Sequence, residues 1–86
     1  MKFTKGKRFY ANYYISDLEV DNQPKYVIVN SSIYGEQSFW ILKRYSYTPD
    51  YTGNMRNWLE GYRTIWSGSK TVKELKEMAE ELEKNE

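Results

Sequence analysis

From Arg8 to Ile15 apolar and polar positions alternate. Phe9, Ala11, Tyr13 and Ile15 fall on one side of an extended backbone, and Tyr10, Asn12 and Tyr14 on the other. A period of two with this aromatic content predicts a β-strand. Asp21-Asn22-Gln23-Pro24 predicts a turn, because Pro24 fixes its own φ and removes a backbone donor. Lys25 to Asn30 predicts a second strand. Its Tyr26-Val27-Ile28-Val29 core is apolar in both directions, as in a central strand covered on each side. Ser31 to Gln37, with Gly35, reads as a turn, and Ser38 to Tyr47 as a third strand. There Phe39, Ile41, Lys43, Tyr45 and Tyr47 share one face, and Trp40, Leu42, Arg44 and Ser46 the other. Residues 8–47 therefore predict a three-stranded antiparallel meander, preceded by a short basic arm over residues 1–7.

Residues 48–61 read as a loop or short helix. Met55, Trp58, Leu59 and Tyr62 have helical spacing, but Gly61 weakens a helix. Tyr62-Arg63-Thr64-Ile65-Trp66 suits a strand better, so a fourth strand is predicted over 62–67. A C-terminal helix is predicted over 71–85. Thr71 is a good N-cap, Glu74 completes a capping box, and Val72, Leu75, Met78, Ala79 and Leu82 form one apolar stripe. A helix of roughly 14 residues is marginal alone, so its stripe must dock on the sheet. The expected fold is a single α+β domain: a small antiparallel sheet of three to four strands with one helix packed on one face.

Composition narrows the chemistry. The 86 residues contain no cysteine and no histidine. Disulfides, thiolate metal sites and every Ser-His or Cys-His nucleophile are thereby excluded. Asp17, Glu19 and Asp21 alternate, yet the calcium-loop pattern is absent, so they read as solvated turn charges. Asn30-Ser31-Ser32 matches a glycosylation acceptor by chance, and every glycine is isolated, so no phosphate loop is present. No cofactor or metal is expected, and no catalytic constellation emerges. Apolar runs reach four residues at most, which predicts no membrane span and no secretory signal. A cytoplasmic chain is the expectation. Thirteen basic and twelve acidic residues leave a net charge of +1, thin for a protein that lives on phosphate contacts.

The unusual feature is nine tyrosines and three tryptophans. One helix can cover one sheet face, yet aromatics lie on both faces of the predicted strands. If Phe9, Tyr13, Phe39 and Ile41 go under the helix, Tyr10, Tyr14 and Trp40 face away with Arg44 beside them. With the faces reversed, Tyr45, Tyr47 and Phe39 are left out instead. Such rings can simply brace the sheet in cross-strand pairs. They can equally form a docking surface, because Tyr, Trp and Arg dominate binding hot spots. The candidate binding residues are Tyr10, Tyr14, Trp40, Arg44, Tyr45, Tyr47 and Tyr51. The functional expectation is a small non-catalytic protein-binding module, in the style of inhibitors or adaptors encoded by phages and mobile elements. Its partner would be another protein or a second copy of itself. The competing expectation is single-stranded nucleic-acid or nucleotide binding, with bases stacked on the rings and Lys43, Arg44 and the basic arm along the backbone.

Overall fold

The structure is a computed structural model. It describes residues 1–8, 11–30, 39–46 and 61–85, and the backbone alone of residues 7, 8, 11 and 12. The strands are β1 (Phe3–Arg8), β2 (Ala11–Ser16), β3 (Glu19–Val20), β4 (Gln23–Pro24), β5 (Tyr26–Asn30), β6 (Trp40–Tyr45) and β7 (Tyr62–Gly68), followed by helix α1 (Val72–Lys84). Five of them form one sheet in the order β1-β2-β5-β6-β7, and every neighbouring pair is antiparallel. The fold is α+β, with α1 over β5 and β6.

The main sheet has one strand more than the four expected at most. The additional strand is β1, drawn from the segment read as a basic arm. Its register runs from Phe3 opposite Ser16 to Arg8 opposite Ala11. Edge strands commonly carry lysine, which discourages pairing with other chains. Such a strand shows little apolar period: Thr4 and Lys5 are exposed, and Phe3 is half-buried. The second departure is the β3–β4 ribbon, which lies outside the main sheet. Its two turn residues, Asp21 and Asn22, have φ of 53° and 66°. Asp and Asn tolerate this left-handed region, and two such residues make the tight hairpin turn.

β5 occupies the middle of the sheet, and Tyr26, Val27 and Ile28 are fully buried. Tyr26, Ile28 and Leu42 meet Leu75 and Ala79 of the helix, with Phe3, Tyr14, Trp40, Val72, Met78 and Leu82 around them. On the other face Val27, Val29, Ile41 and Tyr62 are buried, with Tyr13, Ile15, Phe39 and Tyr45 packed against them. The helix-free face is therefore no bare surface. Tyr13 lies across Gly6, where a Cβ would meet its phenol at 2.9 Å.

Helix α1 is fixed at both ends. At its start the Glu74 N–H donates to Thr71 Oγ1 at 3.2 Å, and the Thr71 N–H donates to Glu74 Oε1 at 2.9 Å. These bonds satisfy donors that have no partner within a helix, and they hold the Glu74 carboxyl below its usual range. At its end Lys25 Nζ lies 2.7 Å from Glu83 Oε1, and the Tyr26 hydroxyl donates to the same oxygen at 3.2 Å.

Candidate functional site

The structure divides the expected binding residues between the two sheet faces. Tyr14, Trp40 and Arg44 lie on the helix side, and all three are half-buried. The Tyr14 and Trp40 rings meet at 5.7 Å with a 60° tilt, and Lys76 Nζ sits 4.7 Å from the Tyr14 centroid. Arg44 lies 6.0 Å from the Tyr26 ring. Tyr45 belongs to the opposite face, where it contacts Tyr62 edge-on at 5.2 Å. Tyr10, Tyr47 and Tyr51 lie outside the described residues. The rings that are described are half-buried and pack against neighbours. Each is engaged by a neighbouring ring or cation, which is how aromatic pairs stabilise a small sheet.

Exposure is concentrated on β7 instead. Between Leu42 and Lys43 the β6–β7 register shifts: Leu42 is opposite Trp66, Lys43 is opposite Thr64, and Ile65 has no opposite residue in β6. This is a β-bulge, which bends a strand and re-aims its side chains. Lys43, buried at 1 % exposure, donates from Nζ to Thr64 Oγ1 at 2.9 Å beside it. The bulge leaves two adjacent apolar side chains open, Ile65 at 37 % and Trp66 at 38 %. Met1 is the other exposed large apolar residue among those described.

The surroundings of this pair are basic. Lys70 Nζ lies 5.0 Å from the Trp66 ring. Arg63, which is exposed, stands directly opposite Arg44. Acids of the helix region temper these cations: after the Lys25 hydrogen bond, Arg44 helps to hold the Glu83 carboxyl below its usual range, and after the Thr71 hydrogen bonds, Lys70 does the same for Glu74. From Trp40 to Ser46 and from Gly61 to Lys70 there is no Asp or Glu. Among the described residues no strand pairs with the outer side of β7.

The β-forming run Tyr62-Arg63-Thr64-Ile65-Trp66 identified β7 as a strand but did not mark Ile65 and Trp66 as exposed. A run of strand-forming residues without an acid, ending at Ser67-Gly68-Ser69, was the available signal. The bulge that exposes both residues depends on register with β6, which the local pattern does not contain.

The remaining features are structural. Met1, Asp17, Leu18, Glu80, Glu83 and Lys84 line an open groove of about 530 Å³. Its acids are engaged: Glu80 with the Met1 ammonium at 3.2 Å, Asp17 with the Lys2 N–H at 2.9 Å, and Glu83 with Lys25. Among the described residues no three carboxylates gather where a metal ion could be held. No helix among them is long and apolar enough to cross a membrane. Comparison with models of known protein families, with curated proteins and with solved structures found no match.

Proposed function

We propose that this chain is a small non-catalytic protein-binding module that docks through β7. The observation that carries the reading is the Ile65–Trp66 pair, held open at the bulge on a strand with no partner on its outer side among the described residues. A tryptophan on a sheet is already ordered, so burying it against a partner costs little side-chain entropy. Arg63 and Lys70 flank the pair and supply the polar rim that such a patch needs. Binding of this kind would let the chain act as an inhibitor or adaptor. Nucleic-acid stacking on Tyr14 and Trp40 is disfavoured, because Lys76 lies over the Tyr14 ring and Trp40 packs against it.

The test is affinity capture from a lysate of the native host, with the full chain and its Trp66→Ser variant as baits. The expected result is one or a few proteins retained by the wild type and lost from the variant, with unchanged unfolding midpoints for the bait. Retention of oligonucleotides alone, released by salt, would overturn the reading.

A further inference from the structure

We propose that Lys43 is the positioning residue that puts Ile65 on the surface, by deciding which residue of β7 is left out of the ladder. Only the use made of the exposed Ile65 rests on the reading of β7 as the docking element. Tyr62 and Trp66 are four residues apart, so in an unbroken strand both would point to the same face. They do not. Tyr62 stands opposite Tyr45 and belongs to the helix-free core, whereas Trp66 stands opposite Leu42, which belongs to the core on the helix side. One of the three residues between them must therefore stay out of the pairing.

Arg63 and Thr64 are the polar members of the three, and leaving out either would put Ile65 in the ladder opposite Lys43. Apolar burial alone favours that arrangement. Lys43 opposes it. Lys43 is 1 % exposed, and on the β5 side it stands opposite Val27, which is fully buried. On the β7 side it stands opposite Thr64, whose hydroxyl accepts from Nζ at 2.9 Å. Ile65 in that place would set a second aliphatic side chain against the buried Nζ and remove this hydrogen bond. The bulge therefore falls just beyond Thr64, and Ile65 stays open beside Trp66. The need for a bulge is set by Trp66 and by Tyr62, which is tied to the Pro24 carbonyl at 2.6 Å. Its position is set by Lys43.

The experiment maps cross-strand nuclear Overhauser contacts in the ¹³C,¹⁵N-labelled full chain and in three variants. Lys43→Met removes Nζ, Lys43→Gln keeps a donor, and Thr64→Val keeps the shape without the hydroxyl. All four chains should keep the contacts between positions 45 and 62 and between 42 and 66. The wild type and Lys43→Gln should show the contact between 43 and 64. Lys43→Met should lose it, gain one between 43 and 65, and shield the Ile65 methyls from a soluble gadolinium chelate. Thr64→Val should show both contacts. The proposal fails if Lys43→Met keeps the 43–64 contact and an accessible Ile65, or if the whole ladder slips and the 45–62 contact is lost. It fails equally if Lys43→Gln behaves as Lys43→Met does. Should Lys43→Met not fold, Thr64→Val decides, and an unchanged 43–64 contact there overturns the proposal. In affinity capture Lys43→Met should retain about tenfold less partner than the wild type, the loss expected of one anchor residue. Undiminished capture after the register has moved would remove Ile65 from the docking site. A wild-type chain that captures nothing is a failure of the docking reading alone, because the register is read in the free chain.

Discussion

The phenol of Tyr62 reaches from β7 to the Pro24 carbonyl, donating at 2.6 Å. Burial, with Tyr45 close by, pushes its pKa up from 10.0 to about 12. Removing the hydroxyl leaves a partly buried carbonyl without this donor, so Tyr62→Phe should cost about 1–3 kcal/mol in urea unfolding at neutral pH. A raised phenol pKa means that folding favours the neutral form. Its contribution is complete below pH 10.0 and lost as pH rises toward about 12. The wild type should therefore lose stability over that interval, and Tyr62→Phe should lose less. The adjacent Gly61 is fixed by the same packing. Its φ is +93°, and a Cβ there would meet the Tyr45 ring at 3.0 Å.

At the scale of elements, α1 depends on its stripe. Leu75 is fully buried among Tyr26, Ile28 and Leu42, so Leu75→Ala should cost about 2–5 kcal/mol in a denaturant titration. The helix was legible because capping box and stripe are both local signals, and the structure places the cap at Thr71. β5 was legible for a similar reason: Tyr26-Val27-Ile28-Val29 is apolar whichever way a residue points. β1 was hidden because it lies at an edge, where Thr4 and Lys5 are exposed and break the apolar period. Alternation correctly placed Tyr14, Trp40 and Arg44 on one face, but it could not say which face the helix covers. A period of two fixes faces relative to one another, and the choice of side belongs to tertiary packing. The Ile65–Trp66 site was hidden more deeply, because two exposed neighbours violate alternation and arise from a register shift with a strand some twenty residues away.

For the whole molecule, the chain is drawn together at the far end of α1. Lys2 bonds Asp17, the Met1 ammonium meets Glu80, and Lys25 and Tyr26 both reach Glu83. The Glu83 carboxyl is held below its ordinary value of 4.5, first by its hydrogen bond from Lys25. A depressed carboxyl stabilises the fold above its ordinary pKa and loses that contribution as pH falls through the lower, folded value. Urea midpoints measured from neutral pH into the acid range should therefore fall in the wild type. Lys25→Met should start lower, by up to about 1 kcal/mol, and fall less steeply.

Among the described residues the two outer strands of the five-stranded sheet expose the same sign of charge: Lys5 on β1 and Arg63 on β7. Stacking copies border to border, head to tail, would set these cations against one another, and the bulge would twist the two borders out of line. Like charge on the two outer strands thus disfavours edge-to-edge association of copies.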